Sequence, residues 1–224
     1  MSIIITVSNQ KGGVGKTTTS AAIASGIFLA GKRVLGIDLD PQGNLGFCLG
    51  AGMDNPYTVL DVLKGTVPVQ DALFKSQYGD LLVSDITLSS SGLDSVKGRR
   101  EYILRDAIRP VIDQYDYIII DTPPALNLLT VNAYSVSDFL IIPMASDILS
   151  LVGLAQLKET IDTVRDTFNP GLNVLGILLT RFNARTLLSR DVLEMAEHLA
   201  NQINSRVFDT KIRSGVAVAE APAH

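Results

Sequence analysis

Two lysines lie five residues apart in a glycine-rich stretch near the start of the sequence, which reads "QKGGVGKTTT" from Gln10. Glycines at positions 12, 13 and 15 let backbone N–H groups turn inward and approach phosphate oxygens closely. Lys16 can place a positive charge at the β- and γ-phosphates of a nucleotide, and the Thr17 hydroxyl can ligate Mg²⁺. This order of glycines, lysine and threonine predicts a phosphate-binding loop.

The loop departs from the usual pattern G-x-x-x-x-G-K-[ST] in two respects. Alignment on Gly15, Lys16 and Thr17 requires a glycine at position 10, where this chain has Gln10. A second lysine, Lys11, lies next to it. Taken alone, Lys11 can be a solvated loop charge or a functional residue, and the residues themselves do not decide between the two.

Three aspartates lie where predicted strands end. Asp121 follows a run of isoleucines in "YIIIDTPP", where it can hold the water shell of a metal ion or cap the next turn. Asp38 and Asp40 flank one residue in "GIDLDPQGN", so the period of a strand places both carboxylates on one side. Two like charges so close need a cation or hydrogen bonds. We assign Asp40 to orient the attacking water and Asp38 and Asp121 to the metal site, although one of the close pair can be structural.

Short β-branched runs alternate with segments of helical periodicity, which is typical of a parallel sheet with helices on both faces. Continuous apolar runs such as "YIIID" and "FLIIP" favour strands buried on both sides. We predict strands at 3–8, 33–38, 80–84, 117–121, 139–143 and 173–180. A helix is predicted over 17–30, and apolar stripes predict two more, over 154–168 and 192–203.

The middle of the chain, from 44 to 98, is less regular. "TVLDVLKG" and "VQDALFK" predict short helices, and "SSSG" and "VKGRR" predict loops. We find no repeat or linker that divides the chain. We therefore expect a single α/β domain over residues 1–224, built as a doubly wound, mostly parallel sheet flanked by helices.

Bulk composition excludes several classes of protein. Hydrophobic residues make up 46% and charged residues 19% of the chain, and the net charge is −4, so any DNA contact needs a local basic patch. One cysteine, Cys48, excludes a disulfide framework or a Cys-only metal cluster within one chain.

The apolar start, "MSIIITV", is expected to be a strand rather than a leader, and no window approaches the roughly 20 apolar residues of a membrane span. We expect a cytoplasmic protein.

With these motifs identified, the sequence resembles the ParA/Soj family of partition ATPases, within the wider group that includes MinD and the nitrogenase iron protein. The matching segments cover nearly the whole chain: "KGGVGKTTT", "IDLDPQGN", "YDYIIIDTPPALNLLTVNA", "DFLIIPM", "GLAQLKETI", "LLTRFNART" and "AVAEAPAH". The resemblance implies a P-loop NTPase of the deviant Walker A type that hydrolyses ATP with Mg²⁺.

The resemblance also implies roles for individual residues. Lys11 would reach across a face-to-face, ATP-bound homodimer and stabilise charge on the partner's nucleotide, as an arginine finger does. Asp40 would be the catalytic carboxylate beside Lys16, and Asp121 a metal-site carboxylate. The segment "TPPALNLLT" would sense the γ-phosphate. Nucleotide contacts would come from Lys11, Gly12, Gly13, Val14, Gly15, Lys16, Thr17 and Thr18, with Thr17 also a Mg²⁺ ligand.

Family members bind DNA without sequence preference as ATP dimers, and a ParB-type partner stimulates hydrolysis, so the resemblance implies both partners, a nucleoid-associated location and no membrane contact. Five basic residues match or lie near the family's last motifs and predict the DNA surface: Arg181, Arg185, Arg190, Lys211 and Arg213. Surface arginines can equally be solvated charges without a partner. Two departures bear on this. Ala217 stands where some members have arginine, and "AEAPAH" stops where relatives continue, so we expect the family's last strand and helix to be missing.

Alternative functions on the same scaffold remain open. A MinD-like positioning ATPase needs an amphipathic C-terminal helix, which these residues do not contain. A nitrogenase-type reductase needs bridging cysteines, and Cys48 lies outside a suitable pattern. A dethiobiotin-synthetase-like ligase would phosphorylate a bound acid, but "DLDPQGN" and the segment after Asp121 fit the partition branch better. An ATP-gated regulatory switch with little turnover is a further alternative.

Overall fold

A computed structural model describes residues 2–52, 55–88, 93 and 99–215 of the chain. The loops predicted at 89–92 and 96–98, Ala217 and the segment "AEAPAH" lie outside these described residues.

Strands and helices alternate along the chain, as the periodicity predicts. The strands are β1 (Ile3–Val7), β2 (Val34–Asp38), β3 (Leu73–Ser76), β4 (Gly79–Leu82), β5 (Tyr117–Asp121), β6 (Phe139–Ala145) and β7 (Asn173–Thr180). The α-helices are α1 (Lys16–Leu29), α2 (Asn44–Cys48), α3 (Val59–Lys64), α4 (Ile103–Ile108), α5 (Leu128–Val136), α6 (Ile148–Thr167) and α7 (Leu187–Gln202). Short 3-10 turns occur at Val69–Ala72, Arg100–Tyr102 and Ile112–Gln114.

The strands form one sheet in the order β3-β4-β2-β5-β1-β6-β7. All neighbours are parallel except β3, which runs antiparallel to β4 at the edge. β5 lies between β1 and β2, and its last residue, Asp121, is level with Val7 on one side and Asp38 on the other. The carboxyl ends of these three strands therefore meet at one edge of the sheet, where doubly wound folds bind their ligands.

Successive residues of each strand face opposite layers of helices. In β1, Ile4 packs into the core formed with α3 to α7, whereas Ile5 packs into the smaller core formed with α1 and α2. Burial on both faces explains why the strands read as continuous apolar runs. The doubly wound fold predicted from the sequence is confirmed.

The main differences from the predicted elements lie at the edge of the sheet and in the helices. "VQDALFK" forms a 3-10 turn and then β3, an edge strand that periodicity did not reveal. Helices α2, α4 and α5 were not predicted. The stripe on α6 is buried from Leu154 to Val164, whereas Met195 in the stripe on α7 is 53% exposed.

The chain after α7 runs beside β7 in the manner of a further strand. The N–H of Ile177 donates to the carbonyl of Arg206, and the N–H of Phe208 returns a bond to the carbonyl of Ile177. Further along, the N–H of Ile212 donates to the carbonyl of Leu179. This segment forms one wall of the site described below. Among the described helices, none is both long and apolar enough to cross a membrane.

Candidate active site

The glycine-rich loop connects β1 to α1 at the carboxyl edge of the sheet. Gly13 and Gly15 have φ angles of +71° and +87°, a region that glycine enters without steric cost. Gly15 is also the N-terminal cap of α1 and has no side chain that could occupy the first free N–H groups. The positive end of the helix therefore points into the loop, as an anion site requires.

Lys16 lies inside this loop. It is buried, and its Nζ donates a hydrogen bond to the carbonyl oxygen of Lys11 at 3.2 Å. Burial lowers the pKa of Lys16, while the charges of Asp121 and Asp40 act against that change. The loop thus holds a poorly solvated cation that a phosphate can pair with.

Lys11 points away from the loop, toward the start of α6. Its Nζ lies 2.6 Å from Oδ1 of Asp147 and 3.3 Å from Oγ of Ser150. Asp147 is the N-terminal cap of α6 and also accepts a hydrogen bond from the N–H of Ser150. In this single chain the two lysines therefore serve different partners, and the contact of Lys11 with a second chain stays a prediction.

Asn9 positions the loop and was missed by the sequence analysis. It is buried, its Nδ2 donates to the carbonyl of Pro143 at 2.7 Å, and its Oδ1 accepts from the N–H of Lys11 at 2.9 Å. On the other side, the Thr180 hydroxyl donates to the carbonyl of Val14 at 2.9 Å. Residues of β6 and β7 thus hold the loop from both sides. The sequence signal that could have identified Asn9 is an amide side chain between a buried strand and a glycine-rich loop.

Asp121 lies beneath the loop and is fully buried. Its Oδ2 accepts a hydrogen bond from the Thr17 hydroxyl at 2.6 Å, and its Oδ1 accepts one from Ser20 at 2.9 Å. Burial raises the pKa of Asp121 to about 6, against the effect of these hydroxyls and of Lys16. The predicted metal-site residues Thr17 and Asp121 are therefore brought into direct contact.

Asp38 and Asp40 have different surroundings. Both oxygens of Asp38 accept backbone hydrogen bonds, from the N–H groups of Asp40 and Leu45, each at 2.9 Å. Burial and the charge of Asp121 raise the pKa of Asp38 to about 8. Asp38 therefore holds the loop after β2, and its assignment to the metal site stays a prediction.

Asp40 is positioned to act on a ligand. Its Oδ1 accepts a hydrogen bond from the N–H of Gln42 at 3.0 Å. Within the described ranges its second oxygen has no hydrogen-bond partner. A buried carboxylate with a free oxygen beside a phosphate loop can orient a water molecule.

The donor set fits Mg²⁺ bound together with a nucleotide. Mg²⁺ takes oxygen ligands, keeps several waters and relies on substrate phosphates for the rest, so one hydroxyl and one nearby carboxylate suffice. No group of three or more His, Cys, Asp or Glu side chains is arranged to hold a metal ion in the part of the chain that the structure describes. The buried Nε2 of Gln10 also lacks a hydrogen-bond partner among these residues, which leaves a polar group for a ligand.

A cavity of about 1090 Å³ opens beside the loop. Gly13, Gly15 and Thr18 line its phosphate-loop side. Its apolar wall is formed by Ile23, Ile141, Leu178, Phe208 and Ile212. An apolar cavity that continues directly from a phosphate loop suits a nucleoside whose phosphates lie in that loop.

Comparisons with known proteins agree with this geometry. The family model of the AAA domain matches residues 2–174. The chain is 40% identical over 224 residues to the chromosome partitioning protein ParA of Myxococcus xanthus, covering 98% of this chain and 78% of that protein. It is 39% identical over 228 residues to the sporulation initiation inhibitor protein Soj of Bacillus subtilis, covering 100% of this chain and 89% of Soj.

The chain belongs to the ParA/Soj family of partition ATPases. Among solved structures, it is similar to cobyrinic acid a,c-diamide synthase of Mycobacterium smegmatis with bound ADP and magnesium. That structure is 36% identical, with a TM-score of 0.88, and the match covers 100% of this chain and 92% of that chain. The predicted family, fold and ATPase class are confirmed.

The basic residues assigned to DNA lie between β7 and α7, near the start of α7 and in the segment after α7, and their contact with DNA stays a prediction. Arg181 and Arg213 line the cavity beside the phosphate loop. Lys211 donates to the carbonyl of Asp209. Arg181, Arg185, Arg190 and Arg213 are all exposed.

Proposed function

We propose that this chain is a ParA-type partition ATPase that forms a face-to-face dimer with ATP, binds DNA without sequence preference in that state, and hydrolyses ATP when a ParB-type partner stimulates it. The observation that carries the proposal is the pair of lysines. Lys16 lies within its own phosphate loop, whereas Lys11 extends outward to Asp147. A lysine that leaves its own loop can reach a nucleotide held by a second copy once its contact with Asp147 breaks.

ATP and Mg²⁺ are the ligands that the site fits. The loop offers glycine N–H groups, the N-terminus of α1 and the buried Lys16 to the phosphates. Thr17 and Asp121 would hold Mg²⁺, which supplies charge neutralisation to the β- and γ-phosphates. The similarity to a structure with bound ADP and magnesium supports this assignment.

Hydrolysis is assigned to Asp40. Its free oxygen can accept a hydrogen bond from a water and align it for attack. Catalysis of phosphoryl transfer depends chiefly on positioning and charge stabilisation, so the short loop held by Asp38 supports the task by fixing Asp40.

Dimerisation is supported by an apolar surface beside Lys11. Ile148, Leu149 and Val152, in the first turns of α6, are 62%, 72% and 54% exposed. Three large apolar side chains on one helix end are poorly suited to water and suit a protein contact. Because they follow Asp147 directly, a second copy that engages Lys11 would cover them.

The proposals of DNA binding and of a nucleoid-associated location are supported by membership of the ParA/Soj family and by the exposed Arg185 and Arg190. Guanidinium groups bind phosphate without reading sequence. The overall charge of −4 makes a local contact of this kind necessary.

The decisive experiment measures ATP hydrolysis and DNA association with the same protein. We expect slow hydrolysis alone, faster hydrolysis with DNA and a ParB-type protein, and DNA association with ATP but not with ADP. Association should weaken steeply between about 50 and 200 mM salt. Hydrolysis that no partner stimulates would favour an ATP-gated switch, and association with anionic lipid vesicles instead of DNA would favour a MinD-like role.

A second candidate is an ATP-dependent ligase. It is favoured by the name of the similar Mycobacterium smegmatis structure, a cobyrinic acid a,c-diamide synthase. A ligase would consume ATP only when an acid and an amide donor are supplied. Turnover of cobyrinic acid with glutamine, and no response to DNA, would replace the partition function by this one.

A further inference from the structure

We infer that Arg181 is a nucleotide-contacting residue whose guanidinium binds the phosphate chain of the nucleotide held by the same chain. The inference rests on the proposed function, because it needs ATP or ADP in the loop. The inference assigns Arg181 to the nucleotide site, whereas the sequence analysis assigned it to DNA contact.

The backbone of Arg181 adopts a conformation that few residues with side chains adopt. Its φ angle is +51°, and Asn204 is the other non-glycine residue with positive φ within the described ranges. Strained backbone of this kind concentrates at ligand sites, where it aims a side chain. For Arg181 it marks the point at which the chain leaves β7.

Residues on both sides hold Arg181 in this conformation. The carbonyl of Thr180 accepts a hydrogen bond from the N–H of Ser146, and the Thr180 hydroxyl donates to Val14 of the phosphate loop. On the other side, the N–H of Phe182 donates to the carbonyl of Ile212. The strain is therefore maintained by the sheet, by the loop and by the C-terminal segment together.

This conformation directs the side chain at the phosphate loop. A Cβ placed on Gly13 would lie 3.8 Å from Nη2 of Arg181. Arg181 lines the cavity together with Arg206, Arg213 and one acidic residue, Asp209. In the described part of the chain, no side chain or carbonyl forms an ion pair or hydrogen bond with the Arg181 guanidinium.

The guanidinium of Arg181 has no partner among the described residues and lies beside Gly13, a glycine of the phosphate-binding loop. It is therefore suited to bind phosphate oxygens. Its planar set of donors can bond two oxygens at once, whereas Lys16 offers a point charge. Lys16 approaches from within the loop, and Arg181 lies at the cavity side. The two cations would therefore hold the phosphate chain from different directions.

The test compares Arg181→Met with Arg185→Met. Both remove one arginine charge from the same turn, but only Arg181 lines the cavity. Affinities for ATP and ADP are measured by isothermal titration calorimetry at low and high salt. For Arg181→Met we expect both affinities to fall about tenfold, as for loss of a hydrogen bond to a charged group. The difference in affinity between Arg181→Met and the wild type should become smaller as the salt concentration rises. Arg181→Lys should recover part of the lost affinity.

Arg181→Gly provides a second variant that separates binding from folding. Glycine tolerates the positive φ, so the nucleotide-free variant should melt at or above the wild-type temperature while its ADP affinity falls. Lower melting temperatures of both the Gly and Met variants without nucleotide would show that Arg181 stabilises the fold, and would overturn the inference.

Two other results would also overturn it. One is an Arg181→Met protein that binds ATP and ADP as wild type does. The other is loss of DNA association with nucleotide affinity intact, which would return Arg181 to the DNA surface. A wild-type protein that binds neither nucleotide would instead refute the proposed function, so the two failures are distinguishable.

Discussion

Lys11 and Asp147 form an ion pair within one chain, with Nζ of the lysine 2.6 Å from Oδ1 of the aspartate. The two residues are 136 positions apart, and they link the phosphate loop to the N-terminus of α6. If Lys11 serves the nucleotide of a second copy, this pair has to break when the dimer forms. The cis pair and the trans contact then compete for one ammonium group.

Weakening the cis pair should therefore favour the dimer. Asp147→Asn removes the charge but keeps a side chain that caps α6 equally well. Each pair is partly exposed and worth about 1 kcal/mol or less, and a homodimer breaks two of them, so we expect the dimer to tighten by up to about thirtyfold. Sedimentation with a slowly hydrolysed ATP analogue measures this. Asp162→Asn, which disrupts the Lys158 pair on the same helix, is the control. Equal dimerisation of both variants would contradict the competition.

The two lysines should separate nucleotide binding from dimerisation. Lys16→Ala removes the buried cation of the loop, and we expect ATP affinity to fall by about a hundredfold. Lys11→Ala should bind ATP nearly as wild type does and remain monomeric. Calorimetry and sedimentation on both variants provide the comparison. A Lys11→Ala protein that forms a stable ATP dimer would refute the trans role.

Asp40 should be needed for turnover and not for binding. Asp40→Ala removes the carboxylate that orients water, and hydrolysis should fall by roughly 10² to 10⁴. ATP should still bind and support a long-lived dimer. Phosphate release and dimer lifetime are the measurements, with Asp61→Ala, in the capping box of α3, as a variant remote from the site. Normal turnover by Asp40→Ala would show that another group positions the water.

Gly12 offers a test of the dimer surface that leaves the single chain intact. No atom lies within 4 Å of a Cβ built at Gly12, and its φ is outside the left-handed region. The isolated chain therefore does not require glycine there. We expect Gly12→Val to fold with the wild-type melting temperature but to fail to dimerise with ATP. Gly13→Val, at φ +71°, should instead lose stability. Normal dimerisation of Gly12→Val would place the second copy elsewhere.

The buried carboxylates predict a pH dependence of the nucleotide-free protein. Burial raises the pKa of Asp121 from 3.8 to about 6, so the folded state holds this proton more tightly than the unfolded state does. The resulting stability is present below about pH 4 and is lost as the pH rises through 6. Asp121→Asn should remove the part of the slope that Asp121 contributes, about 3 kcal/mol of unfolding free energy, and leave the part that Asp38 contributes. Denaturation at several pH values measures it; equal slopes in both proteins would count against the raised pKa.

Much of the fold and the phosphate loop could be predicted from the sequence. The strand "YIIID" has the bounds predicted from its apolar run, because burial on both faces leaves an unbroken run of isoleucines. β3 was missed because an edge strand paired on one side carries no such run. The switch segment after Asp121, whose Asn127 caps α5, stays a prediction in its sensing role.

The sequence by itself determined the glycine loop, Lys16 and Thr17, because their order along a strand, a turn and a helix is local. Only the tertiary structure decided which long-range partner each charged group takes. It places Lys11 on Asp147, turns Asp38 to backbone N–H groups and leaves Asp40 an open oxygen. It also brings the exposed Arg181 beside Gly13 of the phosphate loop. The reason is physical: spacing specifies where a side chain begins, but its partner depends on segments that packing brings together from distant parts of the chain.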